Sequence, residues 1–533
     1  MYIAVSIHTG GDITAKFRVR FVPQGVYADA DEGTLISDAA KAAGVNIKLP
    51  CNGNGRCGRC NVVTVRPNIT DQCNMFRVLA CQTHIDGDMT VEIQSDDNDI
   101  IASNDHRKIM IDDLSPVVTS KKNNFGLAVD IGTTTVAVSL VDMNKGIDLY
   151  SAAGYNGQGV RGDDVLSRIE YAHDNGTEEL RRLVVETIND LIDSFEGEMF
   201  TKEDITAVYI SGNTTMTHLF LGIDPSPIRE PPYEPVIKES EITGKESRLN
   251  VNKDARVICM PSPAAYVGGD VTSDIISAGM DANEELSLLI DVGTNGEVAL
   301  GNKDIMLLCS SSAGPAFEGG KMTSGMMARP GAIDSFRIND DRFEFTVIAG
   351  SGPKGICGSG LIDILAQLFI NGHIDKKGRF TDKVKTRTID GRKLLTITDG
   401  VYISEDDIRN AVMTKAAIYS ASTALIRGLG VNMSDIQNVY IAGGFGNFIN
   451  TESAITIGML PDIPRERFVY LGNASLAGAK HALLSSSVRK RISDVFERMT
   501  YVDLSSAPAF SDEYMSALFI PHTDLSQFPT YKK

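Results

Sequence analysis

Three cysteines fall within ten residues of this chain, in the run CNGNGRCGRC from Cys51 to Cys60, spaced C-x5-C-x2-C. A fourth, Cys81, follows in the phrase RVLACQT. Four thiolates at such spacing can hold a metal centre, either a structural zinc or an iron–sulfur cluster. Zinc sites usually pair two CxxC-like knuckles, whereas here three ligands share one loop and the fourth comes from elsewhere. Gly53, Gly55 and Gly58 let that loop curl and aim backbone N–H groups at sulfur. Cys73 competes for the fourth position, but its Asp71-Gln72-Cys73-Asn74 surroundings read as a solvated loop.

A second chemistry lies further along. AVDIGTTTVAVSLVD (128–142) returns as LLIDVGTNGEVALGN (288–302), each a strand, an Asp-x-Gly-Thr turn and a strand. An aspartate ending a buried strand can hold Mg2+ directly or through water. The glycine permits a tight turn whose N–H groups face phosphate oxygens. Asp130, Gly132, Thr133, Thr134 and Thr135 supply these groups in the first hairpin; Asp291, Gly293, Thr294, Asn295 and Gly296 supply them in the second. One Asp-Gly turn is weak evidence. Two facing hairpins make a clamp for a polyphosphate, and a third glycine turn at Gly443, Gly444, Phe445 and Gly446 follows them. Asp270 and Asp274 are candidate acidic bases, Asp270 equally a helix-capping residue.

The elements that must position these groups are legible in outline. Residues 16–30 alternate as a hairpin around Pro23 and Gly25, and Thr34 is expected to cap a short helix closed by Gly44. Residues 1–97 end in a strand around Met89 to Ile93; residues 98–124, with mixed charge and no clean period, read as a linker, partly ordered through Ile109 to Leu114. A new domain opens at Phe125. A helix is expected over 178–195, with Leu180, Val184, Ile188 and Leu191 on one face. Strands are expected at 207–210, 257–260 and 438–442, and Ser404 with Asp407 forms a capping box for a long helix ending near Gly428.

Composition sets the bounds. With 533 residues, 42% hydrophobic and 23% charged, the chain has the profile of a soluble protein of several domains. No apolar run approaches the roughly 20 residues that span a bilayer, and no membrane partner is expected. The N-terminus lacks a signal-peptide pattern, so the expected compartment is the cytoplasm, where cysteines serve as ligands or reduced thiols. A formal charge of −18 argues against nucleic acid as a partner. Cys259, Cys309 and Cys357 read as small core residues, although Cys357, between glycines before a helix, is also placed for a lowered pKa.

The three-plus-one cysteine pattern, with LACQ at the fourth ligand, resembles plant-type and adrenodoxin-like [2Fe–2S] ferredoxins. The order strand, strand, helix, cysteine loop is that of their β-grasp domain. The paired hairpins and third glycine turn resemble the ATPase core shared by actin, sugar kinases and heat-shock chaperones. Both modules in one chain, together with SSSAGPAFEGG at 310–320, resemble the reductive activators of corrinoid-dependent proteins. That resemblance implies a multidomain α/β and α+β chain: a ferredoxin-like domain (1–97), a linker (98–124) and a duplicated, ribonuclease H-like ATPase divided into 125–283 and 284–533. It implies a [2Fe–2S] cluster on Cys51, Cys57, Cys60 and Cys81, with ATP and Mg2+ on the hairpins. Its partners would be a corrinoid protein or corrinoid iron–sulfur protein and an unidentified low-potential electron donor; a homodimer is left open. Ser310, Ser311 and Ser312 would face the partner's cofactor, or form a packed backbone turn. The implied activity is ATP-dependent one-electron reduction of Co(II) to Co(I) in a methyltransferase system. Alternatives are an ATP-driven donor to another enzyme, a small-molecule kinase with a redox-sensing domain, and a nucleotide-dependent scaffold that moves no electrons.

Overall fold

A computed structural model describes residues 16–22, 25–45, 47, 60–65, 75–93, 101–120, 123–195, 200–293, 295–320, 322–340, 342–348, 352–389, 391–443 and 449–531. The chain forms two compact units, residues 1–99 with 157–171 and residues 100–156 with 172–533.

In the first unit, β1 (Lys16–Val22), β2 (Val26–Asp31), β3 (Asn61–Val65), β4 (Met75–Leu79) and β5 (Met89–Ile93) form one mixed sheet in the order β2-β1-β5-β3-β4. The hairpin β1–β2 is antiparallel and β1 runs parallel to β5. Alternation along β1 puts Val19 and Phe21 inward, against Ile36, Ala39 and Ala40 of helix α1 (Ile36–Ala42). This is the β-grasp order. One detail differs from expectation: the N-cap of α1 is Leu35 with no side-chain cap, because the Thr34 backbone pairs with Asp31 and Ile85 instead.

The second unit holds two sheets. The first comprises β6 (Ile101–Lys108), β7 (Phe125–Ile131), β8 (Thr135–Asp142), β9 (Ile147–Tyr155), β10 (Ile205–Gly212), β11 (Ser240–Thr243) and β12 (Arg256–Cys259), in the order β11-β12-β10-β7-β8-β9-β6. Helix α2 (Val165–Asn175) has residues in both units, and the helices that lie wholly in the second are α3 (Glu178–Asp193), α4 (Thr214–Leu221), α5 (Gly244–Ser247) and α6 (Gly269–Ala278). The second sheet starts with β13 (Ser287–Val292), β14 (Gly296–Gly301) and β15 (Met306–Ser311). An inserted region follows, with β16 (Ala332–Asn339), β17 (Arg342–Val347), β18 (Gly355–Ile356), α7 (Gly358–Ile370), β19 (Arg387–Ile389), β20 (Arg392–Thr398) and β21 (Val401–Ser404). The chain closes with α8 (Glu405–Leu429), β22 (Asn438–Ala442), α9 (Thr451–Ile457), β23 (Phe468–Gly472), α10 (Ala474–Leu484), α11 (Ser486–Arg498), β24 (Met499–Tyr501) and α12 (Pro508–Ala517).

The internal sequence repeat becomes a structural one. An antiparallel β7-β8-β9 meander with β10 parallel to β7 is matched by a β13-β14-β15 meander with β22 parallel to β13. Residues from both halves, including Ala128, Leu289, Leu308 and Leu483, share one core around α6 and α10. The predicted capping box at the start of α8 is present, and Gly430 ends that helix in the left-handed region.

Residues 101–118 are ordered well beyond the Ile109–Leu114 stretch that the sequence suggested. β6 adds to the sheet edge against β9, and Ile109, Ile111, Val117 and Val118 pack into the shared core. The amides of Ser115 and Val117 donate to Leu484 and Leu483, while the Asp113 carboxylate accepts hydroxyls from Ser485 and Ser487 at the start of α11. Mixed charge concealed this order because its partners lie more than 360 residues away.

Candidate functional site

Cys60 and Cys81 are buried, with their sulfurs 3.2 Å apart. Cys60 immediately precedes β3 and Cys81 follows β4; Ala80 N donates to Cys60 O, which fixes the approach. Two thiolates on one tetrahedral metal with bonds of about 2.3 Å lie roughly 3.8 Å apart. The pair is therefore spaced to share one metal with little movement. Cys51, Cys57 and the competing Cys73 lie outside the described residues.

The two hairpins meet in the second unit. Asp130 ends β7, where Asn473 Nδ2 and Ser475 Oγ donate to its carboxylate at 2.9 and 2.8 Å. Asn473 is also the N-cap of α10, so the carboxylate sits at that helix's positive end. Gly132 makes the turn: a Cβ there would meet Thr135 O at 2.6 Å. Thr133 is buried and accepts from Asn213 Nδ2. Thr134 Oγ1 donates to Glu318 Oε2 at 3.0 Å, and Thr135 opens β8.

Asp291 ends β13 opposite Glu297 on β14. Gly443, at φ 105°, leaves β22 beside it; a Cβ there would fall 2.9 Å from Asp291 Oδ1. Gly293 N bonds to Asn295 O, and Gly296 packs so closely that a Cβ would meet Ser311 Oγ at 2.8 Å. Thr294, Gly444, Phe445 and Gly446 lie outside the described residues. Of the hydroxyl loop, Ser311 is buried and donates to Gly296 O, Ser310 is half-buried and Ser312 is exposed.

Between the hairpins stands a crowd of carboxylates. Asp270 is in the first turn of α6 and Asp274 one turn on, 1% exposed, with neither oxygen bonded to a donor among the described residues. Enclosure by protein pushes Asp270 and Asp291 up to about 7, reinforced for Asp270 by Asp130 and for Asp291 by Asp270 and Asp130. Burial, then Asp291 and Asp270, drive Asp274 well above the carboxylate range; burial and the same aspartates do so for Glu297. Burial raises Asp130 too, while Ser475 and Asn473 oppose the rise. Among the described residues no three of these carboxylates stand arranged to hold a metal ion, but an all-oxygen set is of the kind that hard divalent cations take. Sequence reading missed Glu297, Glu318, Asn473 and Ser475. The first two sit inside quoted motifs, LLIDVGTNGEVALGN and SSSAGPAFEGG; the last two fall in YLGNASLAGAKHAL.

Cys259 and Cys309 are buried, with Cys259 pushed up to about 12 by desolvation. Cys357 is buried at the N-cap of α7, its thiol donating to Ile333 O.

Fold and site thus define an iron–sulfur domain joined to a duplicated actin-like ATPase. Family models agree: 2Fe-2S iron-sulfur cluster binding domain over residues 20–86, RACo middle region over 125–283, and C-terminal domain of RACo, the ASKHA domain, over 285–532. A solved structure titled reductive activator for corrinoid, iron-sulfur protein is 35% identical, with TM-score 0.74, covering 97% of this chain and 100% of that one. The corrinoid activation enzyme RamQ of Eubacterium limosum is 28% identical, with 91% of this chain and 96% of that protein covered. The [Co(II) methylated amine-specific corrinoid protein] reductase of Methanosarcina barkeri is 25% identical, with 74% and 76% covered. The chain belongs to the family of reductive activators of corrinoid proteins.

Proposed function

We propose that this chain returns an oxidised corrinoid protein to service by ATP-dependent, one-electron reduction of Co(II) to Co(I). The observation that carries this reading is likeness to a reductive activator across 97% of the chain, with the Cys60–Cys81 pair and the carboxylate-lined hairpins in one polypeptide. Cys51, Cys57, Cys60 and Cys81 would hold the cluster. When bound, a [2Fe–2S] cluster supplies a one-electron carrier near roughly −400 mV.

Each ~59 mV of uphill transfer costs about 1.4 kcal/mol for one electron, so a partner of lower potential needs a second energy source. The hairpins supply it by binding Mg-ATP. Asp130 and Asp291 would hold the cation, and Asp270, Asp274 and Glu297 would add negative charge to its site. The backbone at Gly132, Thr133, Gly293 and Gly443 approaches the phosphates, and Thr134, Thr135 and Asn295 add polar groups. In this reading residues 125–283 and 284–533 close on nucleotide, and residues 1–97 carry the electron. Ser310–Ser312 is the candidate partner-facing loop, with Ser312 its exposed member. The electron balance is simple: one electron leaves the reduced iron–sulfur domain, Co(II) of the partner becomes Co(I), and an external low-potential donor restores the starting state.

The test mixes the reduced protein anaerobically with Co(II) corrinoid proteins, with and without Mg-ATP. Loss of the Co(II) paramagnetic signal and a rise in Co(I) absorbance that require ATP support the proposal. Full-rate Co(I) formation without nucleotide overturns the ATP requirement, and no Co(I) with any corrinoid partner overturns the acceptor.

A further inference from the structure

Glu318 stands between the two phosphate hairpins. Its Oε2 accepts from Thr134 Oγ1 in the first turn at 3.0 Å, a contact across 184 residues of chain. Its Oε1 lies 3.9 Å from the place a Cβ on Gly293, in the second turn, would take. Its charge is also among those that raise Asp291. A short helical turn, Pro315–Glu318, brings the chain to this point from the exposed Ser312.

The backbone that carries Glu318 is held by the second half of the ATPase. Thr414 Oγ1 of α8 donates to Ala313 O at 2.6 Å. Phe317 packs on the start of α7, where a Cβ on Gly358 would meet Phe317 O at 2.0 Å. Gly319, at φ 78°, lies against Met326, whose O a Cβ there would meet at 2.4 Å. The Thr134–Glu318 bond therefore ties a loop fixed in the second half to the phosphate turn of the first. A threonine hydroxyl has one proton to donate. A terminal phosphate entering between the turns offers that proton another anionic acceptor, and it sets negative charge against the Glu318 carboxylate. Thr134 cannot donate to both.

We propose that the Thr134 hydroxyl passes from Glu318 in the nucleotide-free protein to the terminal phosphate in the nucleotide-bound one, and that the loop 310–320 is thereby released from the first hairpin. The inference rests on the hairpins being a nucleotide clamp and on this loop facing the partner. Glu318 is then a positioning residue: through Thr134 it holds the loop until ATP, and not ADP, frees it.

The test joins amide hydrogen exchange to calorimetric titration on the full-length protein, using the Mg2+ complexes of ADP and of the non-hydrolysable β,γ-imido analogue of ATP. The exchange probe is the stretch 310–320, where the Ala313 and Gly319 amides donate to Ser311 O and Ala316 O. A hydrogen bond to a charged group corresponds to roughly ten- to a hundredfold in an equilibrium. In the wild type this stretch should exchange about tenfold faster with the ATP analogue than with ADP or with no nucleotide. Thr134→Val should exchange at the fast rate without nucleotide. Glu318→Gln keeps an acceptor for Thr134 but loses the charge, so it should bind the ATP analogue about tenfold tighter and ADP unchanged, a split that a merely structural role would not produce. Wild-type protein that binds the analogue with unchanged exchange over 310–320 overturns the proposal, as does Thr134→Val exchanging like the wild type. Glu318→Gln that shifts both affinities equally overturns it too. Protein that binds neither nucleotide overturns the clamp, and this proposal with it; ATP-dependent Co(I) formation with an unresponsive loop overturns this proposal alone.

Discussion

The carboxylate crowd makes a sharp prediction for Asp274→Asn in nucleotide-free protein. Asp270 and Asp291 stand near 7 against an unperturbed 3.8, and burial, then Asp291, Asp270 and Asp130, raise Asp274 well above that value. Three units at about 1.36 kcal/mol each give at most about 4 kcal/mol of repulsion and desolvation per carboxylate. The sign follows from linkage. Carboxyl groups raised in the folded state leave stability intact below about 3.8, and that stability is lost as pH rises toward about 7. Wild-type protein in chelator should therefore melt at lower temperature at pH 8 than at pH 5. Asparagine imitates protonated Asp274: it adds no charge and can donate to Asp291. The variant should gain stability at both pH values, and more at pH 8 than at pH 5, because the unfolded carboxyl is ionised above about 3.8 while the folded one holds its proton. Excess Mg2+ should stabilise the wild type at pH 8 more than the variant. Thermal melts at both pH values, with chelator and with Mg2+, read all four conditions. A variant that melts with the wild type throughout would refute the reasoning, because Asp274 would then carry no unrelieved charge.

Other consequences follow from individual contacts. Ser475→Ala removes one of the two side-chain donors to Asp130 among the described residues and should weaken Mg-ATP binding about tenfold in calorimetry with an unchanged fold by circular dichroism. Gly478→Ala places a Cβ 2.4 Å from the Ser273 backbone oxygen where α6 crosses α10, and should cost about 1–3 kcal/mol in thermal unfolding. His218 is buried and accepts from Val236 N and Ile237 N through Nε2 while Nδ1 faces Thr214 O, so it is held neutral with a lowered pKa. Its stabilisation is present above about 6.5 and is lost as pH falls below it; amide exchange at Val236 and Ile237 should quicken there and in His218→Ala at all pH values. Cys60→Ala should abolish the visible iron–sulfur spectrum and lower the iron count; an unchanged count would remove Cys60 from the ligand set.

What the sequence showed, and what it hid, divides by distance. The strands carrying Asp130 and Asp291 were legible because each is an apolar run closed by an Asp-x-Gly turn, and because the phrase occurs twice. The β1–β2 hairpin and α1 were legible from local alternation and spacing. Asn473 and Ser475 were not, since they reach Asp130 across 343 and 345 residues and carry no local signature beyond a helix start. Glu297 stood in plain view, but only the hairpin register puts it opposite Asp291. Residues 101–118 misled because a short edge strand in charged surroundings lacks the period that marks a buried one.

The account's central claim is that nucleotide and electron act together. The most direct measurement is anaerobic stopped-flow of reduced protein against a Co(II) corrinoid partner, following reoxidation of the iron–sulfur absorbance and Co(I) formation in the same mixture. With Mg-ATP the two signals should move at one rate and one to one; without nucleotide, or in Asp291→Asn with its iron–sulfur spectrum intact, both should stall. Co(I) appearing at full rate in Asp291→Asn, or reoxidation with no Co(I), would contradict it.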